Sequence, residues 1–180
     1  MRLRVSLDRG SPKVRTVSSV EIPAQIERWG KNFLFEDRLD DGPFIVRLSD
    51  VDTNIALWQP GATYIFGRGM RSNAPKPIVS SLEPDVVVRY AAWYMVWSWR
   101  YAKGQLMTID PKSDEPGPGF QIDASYEAAV QLRSPDGWTA TFTGAGDRVK
   151  AAASFSRVVP FTAEQICDLG RLPEPFPLPV

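Results

Sequence analysis

The sequence predicts a mainly β protein, and three observations carry that expectation. Short runs rich in β-branched and aromatic residues recur along the first 84 positions, divided by Gly, Pro and Asp-Gly turn signals. Ser-Pro-Asp-Gly at 134–137 separates two further extended candidates. One stretch alone, 85–103, runs 19 residues without Gly or Pro, which is long for a strand.

Taken in order, residues 2–7 alternate basic and apolar types and read as a short strand. Gly10 and Pro12 mark a turn over 8–13. Residues 17–28 form a second extended candidate, with Pro23 at an edge or bulge. KNFLFED, at 31–37, is a strand that sets Phe33 and Phe35 on one face and Leu34 on the other. Asp41-Gly42 is a hairpin turn. FIVRLS, at 44–49, pairs back, with Phe44, Val46 and Leu48 opposite Ile45 and Arg47. Residues 50–57 fit one short helical turn capped by Ser49 or Asp50.

LWQPGATYIFGRGMR, at 57–71, combines a Pro60-Gly61 turn with a strand over 63–67. Gly67 and Gly69 there indicate a bulge, a sharp bend, or close approach of another group. A polar loop at 72–77 leads to a last strand at 78–82, which Pro84 closes. In 85–103, Tyr90, Tyr94, Trp97 and Tyr101 recur at helical spacing, while Trp93, Met95, Trp97 and Trp99 alternate as in a strand. Length favours the helix.

Three prolines and two glycines make 111–119 a linker. Beyond it, 125–133 and 138–143 flank the Ser-Pro-Asp-Gly turn as a hairpin, and 149–159 reads as one more strand. Thr162, followed by Glu164 and Gln165, caps a short helix over 162–169. Four prolines at 173–180 predict an extended tail. The organisation is thus a strand-rich unit at 1–84, an aromatic segment at 85–110, the linker, a β-rich part at 120–172 and the tail.

A length of 180 residues with 43% apolar and 23% charged residues fits a folded domain. The net charge is 0, and the charges are even: residues 1–84 hold 12 basic and 10 acidic groups, and 85–180 hold 9 and 11. This argues against tight, non-specific binding to duplex DNA, which rests on many phosphate contacts. A single cysteine, Cys167, leaves no intramolecular disulfide and points to the reducing cytoplasm. Histidine is absent, so Ser-His and Cys-His catalysis and a zinc site within the chain are not expected. No cofactor, metal, secretory leader or membrane span is expected. Glu36, Asp37, Asp40, Asp41, Asp50 and Asp52 cluster in sequence. Magnesium-dependent nuclease chemistry is one reading, but turn and cap chemistry explains Asp40, Asp41 and Asp50 better.

Across 15–84 the order is strand, strand, tight turn, strand, short helical turn, Pro-Gly, strand, loop, strand. NFLFEDRLDDGPFIVRLSD, WQPGATYIFGRGM and KPIVSSLEP together resemble the second to fifth strands of the oligonucleotide-binding (OB) fold, a five-stranded barrel. With a helix at 85–103, the layout is similar to the middle subunit of replication protein A-type complexes. The resemblance implies an OB-like barrel and non-catalytic binding of single-stranded nucleic acid, in phage or viral replication, by aromatic stacking and Arg or Lys contacts to phosphate. The matching candidates are Trp29, Lys31, Phe33, Phe35, Arg47, Tyr64, Phe66, Arg68 and Arg71; the aromatic ones fit a core equally well.

Tyr90, Trp93, Tyr94, Trp97, Trp99 and Tyr101 have three readings: core, partner interface or stacking platform. Six tryptophans and five tyrosines are hard to enclose in one modest core, so a homo-oligomer or stable complex is expected. The second functional class is a viral or phage structural β-protein, a jelly-roll capsid or accessory subunit acting through self-assembly. Many short strands, 16 prolines and zero net charge suit it.

Overall fold

The computed structural model describes residues 21–172 apart from 34, 36, 39–42, 51, 71–72, 106–113 and 145. The chain runs α1 (Ile22–Asn32), β1 (Asp37–Arg38), β2 (Val46–Ser49), β3 (Thr53–Trp58), β4 (Tyr64–Met70), β5 (Lys76–Ser81), α2 (Pro84–Ala102), β6 (Gln121–Tyr126), β7 (Ala129–Arg133), β8 (Thr139–Phe142), α3 (Arg148–Val158) and α4 (Ala163–Gly170). All eight strands join one antiparallel sheet in the order β1-β2-β3-β4-β5-β8-β7-β6. The expected β-rich character holds in part: an antiparallel sheet forms the base of the fold, but four helices among the described residues layer on it, so the protein is mixed α/β.

The pairing of β5 decides the architecture. It lies against β8, with Val79 opposite Phe142 and Ser81 opposite Ala140. That contact occupies the edge that a five-stranded barrel needs for closure, so the sheet stays open and runs through both halves of the chain. The expected OB-like barrel at 1–84 is corrected accordingly. A jelly roll needs two packed sheets, and a single sheet accounts for all strands among the described residues.

Alternation explains which face is covered. Leu48 pairs with Ile55, Ile55 with Arg68, and Leu57 with Phe66, so these side chains share a face. α2 packs there through Tyr90, whose ring meets Phe66, Phe142 and Phe155 edge-on at 5.2–5.7 Å. α3 contributes Phe155, and α1 lies so close that a Cβ on Gly30 would stand 2.5 Å from a methyl of Leu48. α4 is fastened to α2 by Arg100, which is 1% exposed and donates to the carbonyls of Gly170 at 3.1 Å and Leu172 at 2.8 Å.

Four local expectations change. The strand expected over 17–28 is helix α1 from Ile22 on, and the positions before 21 lie outside the described residues. Pro23 sits in the first helical turn, where its missing N–H costs nothing, and Ile22, Ile26 and Trp29 follow at core spacing. The strand over 31–37 is reduced to β1, because α1 continues to Asn32. Where a helical turn over 50–57 is expected, Thr53–Trp58 form strand β3. Asp50 does cap, but its carboxylate accepts the N–H groups of Asp52 and Thr53 and turns β2 into β3. Residues 149–159 are helix α3 rather than a strand; its Ala151-Ala152-Ala153 run favours helix, and Asp147 caps it by accepting from Lys150 N.

Other expectations hold. α2 is one helix of 19 residues. β7 and β8 are a hairpin across Ser134–Gly137, where Gly137 takes φ 91°. Thr162 and Gln165 form a reciprocal capping box on α4. Gly67 is explained by close approach: a Cβ there would lie 2.6 Å from the Trp58 indole and 2.6 Å from the Lys76 carbonyl. The register with β5 also shifts beside it, leaving Ile78 as the extra residue of a bulge. Asp41-Gly42, the strand at 2–7, the first part of the 111–119 linker and the tail at 173–180 lie outside the described residues. No helix among the described residues is long and apolar enough to cross a membrane.

Candidate functional site

The aromatic residues of α2 recur every three or four positions, so the helix places them in one ladder. Exposure along the ladder is graded: Tyr90 7%, Tyr94 8%, Trp97 40% and Tyr101 74%. Trp97 and Tyr101 stack at 5.5 Å with 15° between their planes, and Tyr94 tilts against Trp97 at 6.3 Å. The ladder is one wall of a cleft of about 890 Å³.

β4 and β5 supply the facing wall. Two residues beyond the buried Phe66, alternation sets Arg68 on the same face, past the end of the packed core. Arg68 pairs directly with Lys76 across the strands, and both line the cleft. Like charges opposite one another disfavour the sheet. No ion pair relieves them among the described residues; the Arg68 guanidinium donates only to the Met70 sulfur, at 3.3 Å. Ile78, displaced by the bulge, and Phe142 add apolar surface.

The far end is the start of α3. Gly146, at φ 104°, brings the chain into the Asp147 cap. Lys150 pairs with Asp147 at 3.3 Å. The Lys150 backbone N–H, then its side chain and charge, hold the Asp147 carboxyl below its usual range. Arg148 donates to the carbonyls of Glu127 and Ala128 and so ties α3 to the β6–β7 turn. Among the described residues, four cations therefore line the cleft against one carboxylate. Gln105, just past α2, adds a buried side-chain oxygen with no hydrogen-bond partner among the described residues. Burial raises the Tyr94 phenol most; the Arg68 charge and a Ser98 hydrogen bond oppose that rise, and Asp50 adds to it.

The structure brings six of the sequence candidates to this cleft: Arg68, Tyr90, Trp93, Tyr94, Trp97 and Tyr101. The others lie elsewhere. Trp29, Phe33, Phe35 and Phe66 are core residues with enclosed ring faces, which corrects their place among stacking candidates. Arg47 is buried on the opposite sheet face, 5.5 Å over the Phe44 ring, and donates to Asn73 O. Tyr64 is half-buried, and Lys31 is exposed on α1. Trp99 turns towards α1, edge-on to Phe33 at 5.7 Å, with the Lys103 ammonium 4.2 Å over its ring. Arg71 is outside the described residues, as are Glu36, Asp40 and Asp41. No metal-holding group of acidic, cysteine or histidine side chains occurs among the described residues.

Lys76, Gln105, Arg148 and Lys150 were missed by sequence reasoning. The Arg68–Lys76 pairing depends on a loop register that composition does not reveal. Arg148 and Lys150 escaped because 149–159 reads locally as a strand, which scatters side chains that a helix turns to one side.

No family model matches the chain. No curated protein matches it either. Among solved structures, the fold is similar to "Rv3902c from M. tuberculosis", with a TM-score of 0.63 and 13% identity over 84% of this chain and 91% of that one. At that identity the likeness establishes a shared fold: this chain has the same arrangement of sheet and helices over most of its length.

Proposed function

We propose that this protein is a non-catalytic binding module that takes single-stranded nucleic acid into the cleft between α2 and β4–β5. The observation that carries the reading is the directly opposed Arg68–Lys76 pair, with no carboxylate partner among the described residues, facing a ladder of aromatic rings. A bound phosphate relieves the repulsion between the two cations. A base stacking on Trp97 or Tyr101 contributes about 1–3 kcal/mol and requires no particular sequence. Tyr94, deeper in the wall, tilts against Trp97 and backs the outer rings. Zero net charge confines attraction to this cleft and keeps affinity modest.

The test is a tryptophan-fluorescence titration with oligo-dT and oligo-rU at two salt concentrations. Binding quenches Trp97, weakens as salt rises, and has a flatter salt slope in Arg68→Ala/Lys76→Ala. Absence of binding by both oligonucleotides at low salt refutes the reading.

One observation favours a second reading. Trp97 and Tyr101 are exposed beside an arginine, the composition of protein-interface hot spots. A homo-oligomer or protein complex formed through this aromatic end would show as a mass above that of one chain in light scattering, and Trp97→Ala/Tyr101→Ala would reduce it. The structural-protein alternative rests on this surface, since the described strands form one sheet rather than the two packed sheets of a jelly roll.

A further inference from the structure

We infer that the unit of recognition in this cleft is one nucleotide, so that a free nucleoside monophosphate binds as well as a strand does. The inference rests on the nucleic-acid reading above and narrows it. Three observations lead to it.

Among the described residues, phosphate-binding capacity concentrates at the cleft. A strand-binding groove follows the backbone with successive cations over several nucleotides. Among the described residues, the exposed arginines elsewhere are committed: Arg28 to Glu164, Arg133 to Asp123 and Arg171 to Asp168. Lys103 lies over the Trp99 ring, on the α1 side of α2. Arg68 and Lys76 lack such partners, and they stand together at one place.

The size agrees. A volume of about 890 Å³ falls within the range of pockets that enclose a small ligand, roughly 300–1,000 Å³. The apolar surface of Pro77, Ile78 and Phe142 suits the face of a base and offers nothing to a charged backbone.

Gln105 supplies the third observation. Its buried side-chain oxygen has no hydrogen-bond partner among the described residues, an arrangement that disfavours the folded state by itself. In the cleft it is an acceptor for a ring N–H or an exocyclic amine on a base edge. Stacking on the ladder, an amine at Gln105 and phosphate between Arg68 and Lys76 together describe a nucleotide.

The experiment uses the full chain and four probes: AMP, adenosine, inorganic phosphate and a dodecamer of deoxyadenosine, each titrated by calorimetry and tryptophan fluorescence at low salt. AMP is expected to bind and quench, adenosine to bind at least about tenfold more weakly, phosphate alone not to quench, and the dodecamer to match AMP per site. Arg68→Ala/Lys76→Ala brings AMP down to the affinity of adenosine. Gln105→Leu weakens AMP and adenosine alike. A dodecamer that binds when AMP does not overturns the inference and leaves the nucleic-acid reading standing. Binding by neither removes both. Phosphate competing with AMP at equal strength reduces the site to an anion site and also overturns the inference.

Discussion

The inner and outer ends of the α2 ladder are built from the same residue types at the same spacing, yet they do different work. Tyr90, at the inner end, touches Phe66, Phe142 and Phe155 and is closed over by α3. Tyr101, three turns on, stacks on Trp97 alone among ring contacts and is 74% exposed. The difference arises in the sheet. β4 reaches past β8, and where the packing supplied by Phe142 ends, Arg68 and Lys76 take the place of apolar partners. One end of the ladder holds the fold together; the other is left to a ligand.

Tyr90→Ala is the strongest way to break the comparison. It opens a cavity among three rings and should lower stability by about 3–5 kcal/mol, a fall in Tm of roughly 10 °C that calorimetry will show. A loss under about 1 kcal/mol means that the inner end is no more structural than the outer. Tyr101→Ala should do the reverse. Its Tm should stay near wild type, while binding of the ligand falls by about 1–3 kcal/mol, the cost of one lost stacking surface.

Alkaline titration sharpens the contrast at the inner end. Burial raises the Tyr90 phenol well above its ordinary 10.0, with Tyr94 adding to the rise. A group whose folded pKa is raised contributes stability that is whole below pH 10 and is lost as pH climbs towards the folded value. Burial acts in the same direction on the Cys167 thiol, which is pushed up to about 12. Tyr90→Phe should therefore match wild type at pH 7 in a denaturant melt and lose less stability above pH 10; identical alkaline losses count against the assignment. The smallest effect is on stability in Arg68→Ala/Lys76→Ala. Removing two opposed cations should leave stability unchanged or raise it by about 0.5 kcal/mol, whereas a clear loss would mean that a hidden partner already neutralises them.

Much of the chain was legible from local chemistry. Nineteen residues without Gly or Pro made α2 a helix, Thr162 and Gln165 marked α4, and Ser-Pro-Asp-Gly placed the β7–β8 hairpin. Those signals lie within a few residues of the element they specify. β3 misled because Asp50 caps a hairpin turn with the same side-chain geometry that it would use on a helix. α1 misled because a proline reads alike at a strand edge and in a first helical turn.

The amino-acid order by itself determined that Tyr90, Tyr94, Trp97 and Tyr101 share one helical face, since 3.6 residues per turn is a property of the backbone. It marked Gly67 as a bulge, a bend or a close approach, without choosing among them. Only the tertiary structure decided that β5 joins β8 rather than closing a barrel, because that choice compares contacts between segments some sixty residues apart, Ser81 with Ala140 among them. The cleft follows from that decision. Arg68, Lys76 and the start of α3 meet the exposed end of the ladder only when the sheet stays open, and no spacing along the chain records that meeting.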